Sequence, residues 1–332
     1  MGIQQMFLGG GASIPVGQAA WSGVNTQSAS WTVPAKVTEI SAVAIGAGGN
    51  GSQGYVYSSY THGGTGGNGG NLAYSNGIAV TPGETLTIVI APRNTKQTGN
   101  TESDGTEGQE SGIKRGSTWL LKALGGAGGK RTRINSTLNE PNNEQTGGTN
   151  NIGDVVRFGG RGGSRRWPST NENFCGGGGA AGYSGNGGNG GVYVGGNPSS
   201  GISATSGSGG GGGGGVPGDN VGGSGGGGVS YFGEGSSGAG ASILDPNTSA
   251  YWTWQWIAST KGLAGSSGDN GSTTPLSGTG AGDSGGFGGH FGGGAGGQKN
   301  KGRDNWGQGG AGGVRIIHGT GRAFPSTRTA NE

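Results

Sequence analysis

The sequence predicts an all-β protein with little or no α-helix, in which antiparallel β-strands in the first part join a layered lattice of glycine-rich polyproline-II-type helices. Three observations predict it. Glycine recurs at Gly176, Gly179, Gly182, Gly185, Gly188 and Gly191, a strict period of three. Short β-branched stretches with two-residue alternation lie between the glycine runs. No stretch carries the 3.6-residue apolar period of an amphipathic helix.

The period of three matches a left-handed polyproline-II-type helix, which has three residues per turn and no internal hydrogen bond. Each N–H and C=O then points sideways and needs a partner on a neighbouring rod. Two backbones approach that closely only where Cβ is absent. Runs such as Gly63-Gly64-Thr65-Gly66-Gly67-Asn68-Gly69-Gly70-Asn71, Gly159-Gly160-Arg161-Gly162-Gly163, Gly285-Gly286-Phe287-Gly288-Gly289 and Gly307-Gln308-Gly309-Gly310-Ala311-Gly312-Gly313 repeat the theme. The third positions, Thr65, Asn68, Asn71, Tyr183, Asn186, Asn189 and Val192, are expected to face outward or toward a flanking layer. As one straight rod, Gly176 to Gly191 would span roughly 50 Å at about 3.1 Å per residue.

Composition bounds the alternatives. Of 332 residues, 91 are glycine and 11 proline, a share that without a period marks low-complexity chain. The period, the many separate runs and the patterned strands between them argue for order instead. Collagen is excluded because no run is long and proline is missing from the intervening positions. Only 28% of the residues are hydrophobic, so a conventional core serves part of the chain and backbone hydrogen bonds must hold the rest. The net charge of +3, from 20 basic and 17 acidic side chains, is too small to imply a nucleic-acid partner. The single cysteine, Cys175, excludes an intrachain disulfide. Met1 to Leu8 lacks a basic n-region, so no secretory leader is expected. No apolar run approaches the roughly 20 residues of a membrane span.

Taken in order, residues 1–20 read as an N-terminal arm or attachment peptide and 21–130 as a β-strand-rich domain closed by a strand at 313–318. Residues 131–312 read as the polyglycine-helix sandwich with variable loops, and 319–332 as a C-terminal tail. Within the strand-rich part, Trp31 to Ile45 reads as one strand running into Gly46-Ala47-Gly48-Gly49-Asn50-Gly51. A tyrosine-rich loop, Gly54 to His62, precedes the next glycine run. Leu72 to Val80 and Thr85 to Ile90 are strands joined at Pro82-Gly83, the centre of a type II turn. Arg93 to Gly112 reads as a polar, acidic loop. Ser117 to Leu124 is a fourth apolar element, and Val314 to His318 is the last strand.

Motifs of chemistry fail on their context. Gly46-Ala47-Gly48-Gly49-Asn50-Gly51 matches G-x-G-x-x-G, but no helix follows to hold a pyrophosphate. Near Gly129-Lys130 a phosphate-binding loop lacks its first glycine and its hydroxyl residue. His62, His290 and His318 share no ligand spacing with Cys175, and no nucleophile or paired-carboxylate set stands out. No enzymatic activity, metal or cofactor is expected. Two aromatic clusters invite binding: Trp252, Trp254 and Trp256 alternate along one strand face, and Arg165-Arg166-Trp167 joins charge to an aromatic. Both also fit plainer roles, the tryptophans as a cover for the lattice edge and the arginines as a solvated turn.

Several segments resemble the glycine-rich domain of tailed-phage tail and fibre proteins. They are Trp31-Thr32-Val33-Pro34 through Gly49, Val80 through Ile88, Leu124 through Gly129 and Gly309 through Ile317. The ends, Met1 through Met6 and Gly319 through Thr327, resemble those of virion structural proteins of marine cyanophages. The glycine runs are similar to the receptor-binding tip adhesin of T-even-like long tail fibres, in which a sandwich of polyglycine helices presents hypervariable loops. The resemblance implies a non-enzymatic virion protein, assembled in the host cytoplasm. Its partners would be other tail or fibre proteins and a host cell-surface receptor, protein or glycan, with no nucleic acid and no membrane insertion. Receptor contact is assigned to Arg165, Arg166, Trp167, Trp252, Trp254 and Trp256, and the scaffold to Gly176, Gly179, Gly182, Gly185, Gly188 and Gly191. Alternate loops are expected at opposite ends of the rods. An architectural tail or capsid component and an ice-binding protein are the alternatives.

Overall fold

The computed structural model describes residues 15–23, 27–57, 60–62, 64–95, 103–130, 150–164, 175–192, 203–208, 210–214, 223–231, 233, 237–239, 286–297 and 307–325. The described residues contain no helix. They form the strands β1 (Gly17–Ser22), β2 (Ser28–Thr32), β3 (Glu39–Ile45), β4 (Tyr55–Tyr57), β5 (Tyr60–His62), β6 (Leu72–Ala79), β7 (Thr85–Val89), β8 (Ser111–Arg115), β9 (Thr118–Ala123), β10 (Val155–Arg157) and β11 (Gly313–His318). A five-stranded sheet in the order β1-β11-β3-β6-β10 faces a four-stranded sheet in the order β2-β7-β8-β9, and β4 and β5 form a separate hairpin. Every pairing is antiparallel. The protein is all-β.

Alternation puts the core where the strands demand it. Leu86 and Ile88 of β7, Ile113 of β8 and Leu121 of β9 meet Ile40, Ala42 and Ala44 of β3 and Val314 and Ile316 of β11 between the sheets. The opposite face of β3 and β11 is covered as well. Val43, Ile45 and Ile317 pack there with Leu72, Tyr74, Ala180, Ala181, Tyr183 and Phe324. β3 therefore reads as a nearly continuous apolar run, EISAVAI, buried at all but its first residue.

The structure revises several readings of the sequence. Trp31 to Ile45 is two strands in different sheets, because Pro34 cannot donate to a ladder and Lys36 takes a positive φ of 69° in the reversal. The last residues of the supposed arm begin β1, which pairs along its whole length with β11. The tyrosine-rich loop contains the hairpin β4-β5. The acidic stretch after Arg93 contains the start of β8 and, before it, a further glycine segment. The Pro82-Gly83 turn stands as expected: Gly83 has φ +84°, and Glu84 N–H donates to Thr81 O at 3.0 Å.

Strands pass without linkers into the glycine segments, which are held to one another by main-chain hydrogen bonds. The segment 175–181 shows the rule. Gly177 and Ala180 donate to Ser224 and Gly227, Gly178 and Ala181 to Gly67 and Gly70, and Gly176 and Gly179 to Gly191 and Gly188. Its carbonyls accept in the same rhythm: Gly163 and Gly160 donate to Gly176 and Gly179, Gly297 and Gly294 to Cys175 and Gly178, and Gly214 and Gly211 to Gly177 and Ala180. These bonds are 2.7 to 3.2 Å long. The direction of bonding repeats every third residue. Three segments thus take its N–H groups and three others give theirs, so the segment lies surrounded.

The founding run is not one long rod. Gly176 and Gly179 bond to Gly191 and Gly188 of the same run, and the chain reverses where Gly182 N–H donates to Gly185 O at 2.9 Å. Glycine on both sides of the bend removes the side chains that would oppose it. Gly176 to Gly191 is therefore two antiparallel segments.

Nor does the division at residue 130 hold. Segments 46–53, 64–71, 103–110 and 124–130 belong to the same hydrogen-bonded bundle as 158–163, 175–181, 187–191, 210–214, 223–229, 286–289, 293–297 and 307–312. Beyond residue 319, Arg322 and Phe324 are buried against the sheet, so part of the supposed tail belongs to the body.

Candidate functional site

The bundle has two ends. At the sheet end, β3 leads into segment 46–53 and segments 64–71, 103–110 and 307–312 lead into β6, β8 and β11. Short reversals close the other segments there, around Gly182–Gly185, Gly207–Gly210 and His290–Gly292. At the far end stand the residues that flank 96–102, 165–174, 193–202, 215–222 and 298–306. The described neighbours on both sides of each of these stretches lie at that end.

Those flanking residues are tied together. Gly66 donates to Gly163 at 3.2 Å, Gly163 to Gly176 at 2.7 Å, Gly176 to Gly191 at 3.2 Å and Gly191 to Gly214 at 2.8 Å. Nearby, Gly286 donates to Gly223, Gly223 to Gly297 and Gly297 to Cys175. Ser52, Thr65 and Lys130 close another part of this end. Ser52 Oγ and Thr65 Oγ1 both donate to Lys130 O, at 3.0 and 2.8 Å. Lys130 also reaches Asp104 across 3.3 Å at the surface.

At one flank of the bundle, asparagine side chains take the place of main chain. In the segment from Phe158 to Gly163, Gly160 and Gly163 donate to the carbonyls of Gly179 and Gly176. Phe158 and Arg161 donate instead to Oδ1 of Asn186 and Asn189, and Gly159 and Gly162 to Oδ1 of Asn71 and Asn68, at 2.8 to 3.1 Å. Asn50 Oδ1 likewise accepts from Gly309 N–H at 3.0 Å. These third-position asparagines face a flanking segment, and Asn68 and Asn71 are only 2% exposed.

The polar segment 103–110 escaped recognition in the sequence. Ala47, Asn50 and Gln53 donate to Gln109, Thr106 and Ser103, three residues apart, while Gly105 and Gly108 donate to Gly129 and Gly126. The signal was present in Gly105-x-x-Gly108. It is diluted because one glycine per turn suffices for a segment at the rim. The interior segment 175–181, CGGGGAA, has small residues in every direction.

Crowding explains the smallness. A Cβ added to Gly179 would collide with the carbonyl oxygen of Gly211, one at Gly188 with that of Thr205, and one at Gly185 with the Ser208 side chain. Gly177, Gly178, Gly187 and Gly190, outside the period first noticed, are as tightly placed. Gly176, Gly182 and Gly191 belong to the same two segments and their bend.

Arg165, Arg166 and Trp167, and Trp252, Trp254 and Trp256, lie outside the described residues. The neighbours of the first group, Ser164 and Cys175, are at the far end. The stretch carrying the tryptophans begins after Ala239, near the sheet end, and finishes at Gly286, at the far end. Among the described residues no group of three or more histidine, cysteine, aspartate or glutamate side chains could hold a metal. His318 instead turns Nδ1 to Pro15 O at 2.6 Å. Also among the described residues, no helix is long and apolar enough to cross a membrane.

This hydrogen-bonded bundle on a β-sandwich defines the class of protein: a glycine-rich all-β protein. Residues 22–242 match the model of the glycine-rich domain family, about two thirds of the chain, and the protein belongs to that family. No curated protein matches the chain.

Proposed function

We propose that the glycine segments are polyproline-II-type helices and that they form a rigid platform for attachment: a non-enzymatic phage virion protein of the tail-fibre or tip-adhesin kind. The observation that carries this proposal is the far end. Residues flanking 165–174, 193–202 and 215–222 stand in one hydrogen-bonded row, Gly163 to Gly176 to Gly191 to Gly214. Stems fixed in this way reduce the ordering cost that a binding surface must meet on contact. The sheet end, with its short reversals, is then the side turned to the rest of the virion.

Receptor contact is assigned to Arg165, Arg166 and Trp167 and to Trp252, Trp254 and Trp256. Guanidinium groups grip phosphate or carboxylate bidentately, and tryptophan supplies stacking area. The proposal is tested with virions carrying R165A/R166A/W167A or W252A/W254A/W256A. Both are expected to assemble normally and to adsorb to host cells about tenfold more slowly or worse, as loss of central aromatic and arginine contacts entails. Unchanged adsorption removes the residues from the contact. Failure of antibodies against the chain to label intact particles removes the virion assignment itself.

A further inference from the structure

The outer face of the four-stranded sheet carries a feature unrelated to the glycine bundle. Ser28, Ser30 and Thr32 of β2 and Thr85 and Thr87 of β7 are exposed, while the alternate residues Leu86 and Ile88 are buried beneath them. The strand register continues this row toward the edge. Ser30 stands opposite Thr87, Thr87 opposite Lys114, and Lys114 opposite Trp119. Two hydroxyls, an ammonium and an indole therefore cross the sheet in line, one strand spacing of about 4.8 Å apart.

At the end of the row the Trp119 indole packs against Gly112. Any Cβ on Gly112 would press on the Trp119 ring, so glycine there makes the bed for it. Two ammonium groups lie over this ring, Lys114 Nζ at 4.1 Å from its centre and Lys122 Nζ at 5.4 Å. Each is attracted by the ring quadrupole, yet they repel one another. Among the described residues neither has a carboxylate partner, unlike Arg115, which pairs with Glu84, and Lys130, which pairs with Asp104. An anionic group placed between the lysines relieves that repulsion and gains two charge-assisted hydrogen bonds.

The geometry points to a binding site for an acidic polysaccharide. A carboxylated sugar sits at Trp119: its carboxylate draws Lys114 and Lys122 off the indole, its ring takes their place there, and the following sugars lie over Thr87 and Ser30. The requirement for both charge and a flat aromatic, continued by hydroxyls, selects a sugar polymer over an acidic protein surface. The site rests on the sheet alone and stands independently of the attachment residues proposed above.

The full chain is titrated with sodium polygalacturonate by calorimetry and by affinity electrophoresis, with neutral dextran and dextran sulfate in parallel. Polygalacturonate is expected to bind, more weakly as salt rises, and dextran not to bind. K114Q/K122Q and W119A should each weaken binding about tenfold or more, with unchanged melting temperature for the lysine variant. W119F keeps a ring over Gly112 and should retain most of the affinity, which guards against misfolding of W119A. Absence of polygalacturonate binding overturns the proposal. So does undiminished binding by both K114Q/K122Q and W119A, since the contact then lies elsewhere on the chain. Tighter binding of dextran sulfate with no effect of W119A or W119F also means ion exchange. Self-association abolished by W119A, without polysaccharide binding, assigns the face to a second copy of the chain.

Discussion

At the scale of single residues, stability depends on side chains that are missing. Gly179→Ala drives a methyl group into the Gly211 carbonyl, backbone against backbone, and neither segment can yield without breaking bonds to its other neighbours. A loss of about 3 kcal/mol or more is expected, at or above the upper end for overpacked sites. Gly116→Ala is the control, because that residue has φ +58° but open space around it; it should cost only about 1–2 kcal/mol. Chemical denaturation of the two variants measures the difference, and equal losses would show that conformation rather than crowding sets the glycine requirement. Tyr183 provides a pH-dependent counterpart. Its hydroxyl donates to Ser230 O at 3.0 Å and accepts from Gly233 N–H at 3.3 Å. Burial pushes its pKa well above the ordinary tyrosine value. A raised folded-state pKa means stability that is complete below the unfolded value, about 10, and is lost as pH climbs above it. Tyr183→Phe leaves the Ser230 carbonyl and the Gly233 N–H without this partner and is expected to be less stable by about 1–2 kcal/mol at neutral pH. The gap should narrow above pH of about 10, as followed by urea unfolding across the pH range.

At the scale of the element, a glycine segment differs from a strand in how its bonds are distributed. A strand bonds to two neighbours, whereas segment 175–181 bonds to six: three through N–H groups and three through carbonyls. Slow amide exchange should follow, with Gly177 to Ala181 protected as strongly as Val43 and Ala44 in β3. Exchange within seconds would mean that the segments open independently of the sheets. Where a main-chain acceptor is missing, an asparagine side chain substitutes for it. Asn68→Ala leaves Gly162 N–H without its 2.8 Å acceptor and is expected to cost about 1–3 kcal/mol. The same exchange measurement should show faster exchange at Gly162. Glycine density along a run thus reports how many neighbours a segment has. That signal was legible in CGGGGAA and nearly silent in the rim segment around Gly105 and Gly108, where polar residues face outward.

At the scale of the molecule, the two ends of the chain close the sandwich. β11 lies between β1 and β3, pairing with both, and the segment before it bonds to residues 48 and 51. Deleting residues 307–332 removes a central strand together with part of the bundle. The shortened chain is expected to lose its sheet signal in circular dichroism and to aggregate. A folded, soluble product would show that the sandwich is complete without β11.

The sequence by itself determined the all-β class, several strands by their alternation, the Pro82-Gly83 turn, and the presence of glycine segments by their period. These are local properties, fixed by side-chain spacing and by backbone conformations available to each residue. Tertiary structure alone decided that Gly176 to Gly191 folds back on itself, that Trp31 to Ile45 divides between two sheets, and that 103–110 joins the bundle. It also decided which end carries the flanks of 165–174, and that Trp119 packs against Gly112 with two lysines over its ring. A glycine run has no side chains with which to name its neighbours. Its partners follow from where the connecting strands and reversals deliver it, and that delivery depends on the packing of the whole chain.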